Sequence, residues 1–354
     1  MRTCKRWVIS LISLFVLFLL ITGVFMVIVD PYFHYHKPLP GVGYILDNPR
    51  YQNNGIVKHF EYDAIITGSS MTECFKSSDL DSLFNVNSIK VPFSGGSYKE
   101  VNDNLAVAVR HNPNLKMIVR CLDANRFFND KDEMDYNSYP DFLYDNNLLN
   151  DVNYLYNKSI FLVALQNVVG YNREGKITLS FDDYCNWSDK QTYGKAAMDA
   201  VYQRSTIVRS EEMQPITEED YARIYANIEQ NVLCLARENP NIEFYLYISP
   251  YSIYYMDYWH LTGELERQLA AEKYVIELLL TQENIHVFSF YTEYDMICNL
   301  DNYRDIAHHR GEINSQILKW MQEGKHELTL ENYEAYCQEE LEYYRNYDYD
   351  SLFQ

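Results

Sequence analysis

Ser70 follows Gly68-Ser69 at the end of a short apolar run, and Asp305-Ile306-Ala307-His308 stands far along the chain. A serine hydroxyl becomes a nucleophile near neutral pH when a base removes its proton. An imidazole serves as that base when a carboxylate fixes its other nitrogen. The Asp-x-x-His spacing within a loop lets Asp305 orient His308, so these residue types point to serine-based acyl chemistry. His309 is expected to turn toward solvent, and Asp63 to belong to the start of a strand. Ser69 either bonds the backbone of the nucleophile turn or is a plain turn residue.

The elements that must position these groups alternate along the chain. Residues 62–67 read as a strand that breaks at Gly68, where glycine permits a close approach or an unusual turn. A helix capped by Ser77 or Ser78 runs to residue 84, a strand covers 88–93, and the turn Ser94-Gly95-Gly96-Ser97 leads into a helix over 98–111. Residues 115–122 are almost continuously apolar despite Arg120, as in a parallel strand covered on both faces. The rhythm returns with a helix over 220–238, a strand over 242–248, a helix over 264–281 and a strand over 285–291. Helices over 311–321 and 331–344 close the chain. Five strands separated by helices predict an α/β fold with an open, mostly parallel sheet between helices. In such a fold the site lies beyond the strands' carboxyl ends.

Residues 131–215 break the alternation. They are rich in Asp, Asn and Tyr, hold short helical stretches around 151–169, and read as a middle insertion or lid. The sheet domain is then expected in two pieces, 58–130 and 216–354.

Residues 7–29 contain no Asp, Glu, Lys, Arg, Asn or Gln. At about 1.5 Å per residue that run crosses the roughly 30 Å core of a bilayer. Arg2, Lys5 and Arg6 precede it and Asp30 follows, which predicts a cytoplasmic tail over 1–6, a single-pass anchor over 7–29, a juxtamembrane linker over 30–57, and the remainder outside. The bulky residues after Gly23 offer no signal-peptidase site, so the anchor is expected to stay uncleaved. The chain carries 30 Lys plus Arg against 50 Asp plus Glu. Three of the bases lie in the first 29 residues, leaving 27 against 50 and a net charge of −23 beyond them. Such a surface repels nucleic acid.

The seven cysteines are widely and irregularly spaced, with no Cys-x-x-Cys, and suggest neither a zinc site nor a disulfide framework. Nine histidines include no His-Glu-x-x-His, and His34-Tyr35-His36 reads as isolated surface polarity. No nucleotide-binding loop or EF-hand is evident. The expectation is no cofactor and no metal.

The block Asp63-Ala64-Ile65-Ile66-Thr67-Gly68-Ser69-Ser70-Met71-Thr72, the Gly95-Gly96 turn and the final Asp305-to-His308 block together resemble the SGNH/GDSL hydrolase-like family. They are similar in particular to its membrane-anchored members linked to cell-surface polysaccharide modification. The resemblance spans roughly residues 58–130 and 240–323. Ser69 stands where the family has the GDSL aspartate, and Leu122-Asp123-Ala124-Asn125 departs from its GxND block.

What the resemblance implies is a catalytic triad of Ser70, His308 and Asp305. Oxyanion donors would be the backbone N–H groups of Ser70 and Gly95 and the side chain of Asn125; alternatively Asn125 only caps a turn. Asp123 is a candidate to orient Asn125 or bind a substrate hydroxyl; alternatively it is a buried turn carboxylate. In the loop expected at Tyr247-Ile248-Ser249-Pro250-Tyr251-Ser252 and beyond, Tyr251 and Tyr254 are candidates to stack on substrate, against core packing for most neighbouring rings. The implied function is acyl transfer or ester hydrolysis on an extracellular glycan, beside a multipass membrane O-acyltransferase that delivers the acyl group. The alternative is a non-catalytic glycan-binding or assembly component of such a complex.

Overall fold

The computed structural model describes residues 2–134, 139–145, 147–174 and 180–354. The chain forms two compact units, Met1–Phe60 with Ser138–Ser180, and Glu61–Asn137 with Phe181–Gln354. The segment read as one insertion is thus divided between them.

The second unit is built on a six-stranded sheet flanked by helices. Its strands are β1 (Ala64–Gly68), β2 (Ser88–Pro92), β3 (Met117–Leu122), β4 (Glu243–Ile248), β5 (Ile285–Phe288) and β6 (Glu327–Leu328), in the order β2-β1-β3-β4-β5-β6. All pairs are parallel except β5 with β6. β1, β2 and β3 are buried along their whole length, as apolar strands covered on both faces must be. β6 is additional to the five strands expected; at two residues it is too short to leave a period-two pattern. The registers Gly68↔Pro92, Thr67↔Arg120 and Leu122↔Ile248 bring the carboxyl ends of β1, β2, β3 and β4 to one edge.

Local chemistry explains most boundaries. Ser97 accepts the Glu100 N–H at 3.2 Å and starts the helix Tyr98–His111. Thr217 and Asp220 form a reciprocal cap that starts Glu218–Ile228. The single helix expected over 220–238 instead widens into a π turn at Glu229–Leu233 before resuming at Cys234–Glu238. Buried Arg120 on β3 donates to the Asn231 carbonyl at 2.7 Å in that turn and to the Tyr98 carbonyl at 3.1 Å. Backbone oxygens thus meet both terminal nitrogens of a cation inside a parallel sheet.

The loop expected beyond Pro250 is in fact helical over Ile253–Thr262. Ile253, Tyr254, Met256, Trp259 and Leu261 are buried while the ring of Tyr258 is exposed, so apolar residues fall on both sides and no polar stripe marks it as a helix in the sequence. It ends at Gly263, φ +74°, where a Cβ would collide with the Glu212 carbonyl. Among the described residues no disulfide joins the cysteines.

In the first unit, the helix Arg2–Val29 includes a stretch, Cys4–Val29, long and apolar enough to cross a membrane. Asp30 then gathers the chain: its carboxylate accepts the N–H groups of His34, Tyr35 and His36 at 2.8–3.0 Å and the Tyr154 hydroxyl at 2.7 Å. The expected linker is structured, with a helix at Pro49–His59. Its Gly55 lies so close to the Tyr32 and Phe33 carbonyls that a Cβ would strike them. His34 and Tyr35, expected as isolated surface polarity, both reach Asp151, at 3.2 and 3.0 Å.

Candidate active site

β1 ends at Gly68 with φ +145°, where a Cβ would fall 2.8 Å from both Cys121 Cβ and Thr72 Cγ2. Only glycine fits there. The chain then closes into the tight turn Ser70–Thr72. Ser69 Oγ accepts the Met71 N–H at 3.3 Å, the Thr72 hydroxyl donates to the Ser69 carbonyl at 2.8 Å, and the Asn314 amide donates to the Met71 carbonyl at 3.1 Å. These bonds leave the Ser70 hydroxyl half-buried and free to face another element.

That element is the loop after β5. Tyr303 and His309 form an antiparallel bridge, and the Arg304 N–H donates to the His308 carbonyl at 3.0 Å. The Tyr303 hydroxyl bonds the Pro250 carbonyl at 3.0 Å. The N–H and hydroxyl of Ser252 both bond the Ile306 carbonyl, at 3.0 and 2.8 Å. The loop is thereby pinned to the carboxyl end of β4.

Within it Asp305 Oδ1 accepts the N–H groups of Ala307 and His308 at 3.0 and 2.8 Å, and both carboxylate oxygens lie 2.9 Å from His308 Nδ1. Arg304 Nε donates to Oδ2 at 3.1 Å. Burial pushes the Asp305 pKa upward, but the His308 side chain and the two backbone N–H groups outweigh it and hold the carboxyl down at about 2. With Nδ1 donating to this carboxylate, Nε2 is the ring's acceptor, and it lies 2.7 Å from Ser70 Oγ. Ser70, His308 and Asp305 are therefore hydrogen-bonded in series.

The other expected residues divide into two groups. Gly95, at φ +62°, follows β2, and its carbonyl accepts from Arg126 Nη2 at 3.0 Å. Asn125 is exposed in the short turn after β3. Its Oδ1 accepts the Tyr251 hydroxyl at 3.0 Å, and its Nδ2 donates to the Tyr255 hydroxyl at 3.2 Å. The Tyr251 hydroxyl is also 3.2 Å from Asp123 Oδ1. Tyr251, expected to stack on substrate, is buried and instead donates its hydroxyl to Asn125, while Asp123 is a buried turn carboxylate that accepts from the same hydroxyl.

Tyr254 is the second departure. It is buried, its hydroxyl accepts from Lys195 Nζ at 3.0 Å and donates to Asp199 at 2.7 Å, and its ring stacks on Phe353. The alternation of the helix Ile253–Thr262, unread in the sequence, turns it that way. His309 is also corrected: it is buried rather than in solvent, its Nδ1 donates to the Arg310 carbonyl at 3.3 Å, and burial lowers its pKa to about 4.

Three residues join the site without a signal in the sequence. Trp187 stands with its ring at 82° to His308, centroids 5.6 Å apart, and donates its indole N–H to Glu73 at 2.7 Å. The Arg304 guanidinium lies 4.7 Å from the Trp187 ring centroid. Glu73 is buried three residues after Ser70, and burial raises its pKa against the bonds it accepts from Trp187 and Ser94. An isolated tryptophan in the irregular stretch around 181–194 is the one feature that could have marked this wall. Among the described residues no group of three or more His, Cys, Asp or Glu side chains is placed to hold a metal ion.

No protein-family profile matches the chain, and no curated protein matches it. Among solved structures it is similar to one described as a candidate platelet activating factor from Streptococcus pneumonia. The match has 11% identity, covers 78% of this chain and 90% of that one, and has a TM-score of 0.39.

Proposed function

We propose that this chain is a serine-dependent acyl-transfer or ester-hydrolysing enzyme of SGNH type, acting on a cell-surface glycan. One observation carries the reading: Ser70 Oγ, His308 Nε2, His308 Nδ1 and Asp305 form an unbroken hydrogen-bonded series at 2.7 and 2.9 Å. In the proposed reaction Ser70 Oγ attacks an acyl carbonyl while His308 Nε2 takes its proton. His308 then returns that proton to the departing alcohol oxygen, leaving an acyl-serine. An incoming hydroxyl gives its proton to the same Nε2 and attacks the acyl carbon; as the acyl–Oγ bond breaks, that proton passes to Ser70 Oγ and restores the hydroxyl. Water in that position makes an esterase and a sugar hydroxyl makes a transferase.

Charge on the carbonyl oxygen is met by the N–H groups of Ser70 and Gly95 and by Asn125. The Asn125 amide has two N–H bonds. One goes to Tyr255, leaving the second for an oxyanion.

The helix Arg2–Val29 supports placing this chemistry at a membrane, and the basic residues before it support a cytoplasmic N-terminus with the sheet unit outside. A tethered enzyme meets substrates on that surface, and a multipass O-acyltransferase is the partner proposed to supply the acyl group. The test compares the acyl content of wall, membrane and secreted glycans from cells carrying the native chain or Ser70→Ala. A glycan fraction that changes its acyl content supports the reading and identifies the substrate. Unchanged acylation in all three fractions contradicts it and favours a binding or assembly role.

A further inference from the structure

We infer that residues 148–169 form a second membrane-contacting element, seated in acyl chains beside the end of the anchor. This rests on the reading that the helix Arg2–Val29 crosses a bilayer, and it concerns the first unit alone. The Tyr156 hydroxyl donates to the Leu19 carbonyl at 3.3 Å and lies over Gly23. Leu19 precedes Val29 by ten residues, about 15 Å along a helix axis and half of the roughly 30 Å hydrocarbon core. Phe161 packs on Phe25 with centroids 5.5 Å apart, and Ile160 and Ala164 share one apolar cluster with Met26 and Val29. Whatever touches a spanning helix at Leu19, Gly23, Phe25 and Met26 lies at the depth of the lipid chains.

The segment is suited to that place. Its helix Lys158–Glu174 forms its own backbone hydrogen bonds, and its first turn is closed by Asn157 Oδ1, which accepts the N–H groups of Ser159 and Ile160 at 2.9 and 3.3 Å. From Lys158 on, helical backbone with a capped end leaves few main-chain groups needing water, and the segment's exposed polar side chains without charge are Asn153, Ser159 and Gln166. Away from the anchor it exposes Leu148, Leu149, Val152, Leu162, Leu165 and Val169, Leu149 at 85% and Leu148 at 77%. Between 147 and 170 the charged residues are Asp151, buried against His34 and Tyr35, and Lys158, whose flexible stem can carry its ammonium to the headgroups. A chain with 50 acidic residues that leaves this face almost without charge presents it to hydrocarbon rather than to water.

The experiment uses the full-length protein alone in phosphatidylcholine vesicles. An environment-sensitive fluorophore is attached singly through Leu162→Cys, Leu165→Cys, Leu17→Cys or Tyr225→Cys, with the reactive native cysteines replaced by serine. All four positions are exposed, so a label leaves the packing intact. Vesicles carrying a quencher on the acyl chain should lower emission at positions 162 and 165 at least twofold, as at Leu17 within the anchor, and leave position 225 unchanged. Quenching at Leu17 with none at 162 or 165 overturns the inference and assigns the face to water or to a protein partner. Absence of quenching at Leu17 itself overturns the anchor and this inference with it.

Discussion

Trp187 stands edge-on to His308 and is tied by its indole N–H to Glu73, three residues beyond Ser70. One side chain thus links the turn that carries Ser70 to His308. Trp187→Phe keeps a ring but removes the donor, leaving buried Glu73 short of a partner. The expected loss is about 1–3 kcal/mol in stability and up to about 10²-fold in kcat, read by denaturant unfolding and ester turnover. Full activity in Trp187→Phe would make this wall irrelevant to catalysis.

Asp305→Asn replaces the acceptor that fixes the His308 tautomer. Turnover should fall by about 10⁴-fold while substrate binding persists. The carboxylate's folded pKa is depressed to about 2, so the stability it contributes is complete above its ordinary value and is lost as pH falls toward about 2. Denaturant unfolding measured stepwise from pH 5 to pH 2 should show a flatter acid limb in Asp305→Asn than in the native chain.

Asn125 and Tyr251 are expected to act as a unit. Asn125→Ala should cost about 10²–10³-fold in kcat with little change in stability, because the side chain is exposed. Tyr251→Phe, which frees the amide without removing it, should cost less. The double variant should be no slower than Asn125→Ala, since the tyrosine works through the amide; additive losses would show a separate role.

Away from the site, Glu272 and Glu340 are a buried carboxyl pair, both raised in pKa by burial, with Ser289 donating to Glu272 at 2.8 Å. Because the folded state holds protons that the unfolded chain releases, stability falls as pH rises out of the ordinary carboxylate range. The slope reaches roughly 1.4 kcal/mol per pH unit for each group. Glu272→Gln mimics the protonated form and should make that decline shallower in unfolding measured between pH 5 and 9.

The parts of this fold legible in the sequence are those with a local cause. The helix Tyr98–His111 announces itself by Ser97 and an amphipathic stripe, and β3 by its unbroken apolar run around Arg120. Ser70 stands out because it follows the end of β1, and Asp305 and His308 because they have Asp-x-x-His spacing within one loop. The helix Ile253–Thr262 does not, because rings such as Tyr258 lie on its exposed side too and erase the polar face that marks helical periodicity. That omission misdirected Tyr254. Trp187 and Glu73 meet only through long-range folding, and no spacing within either neighbourhood encodes the contact.

Whether Ser70 is a nucleophile activated by His308 is measured most directly by covalent labelling of the purified full-length protein with a serine-reactive phosphonofluoridate, followed by peptide mass mapping. One adduct is expected on the peptide containing Ser70, absent in Ser70→Ala and strongly slowed in His308→Ala. Equal labelling of all three proteins, or an adduct on another serine, would contradict it.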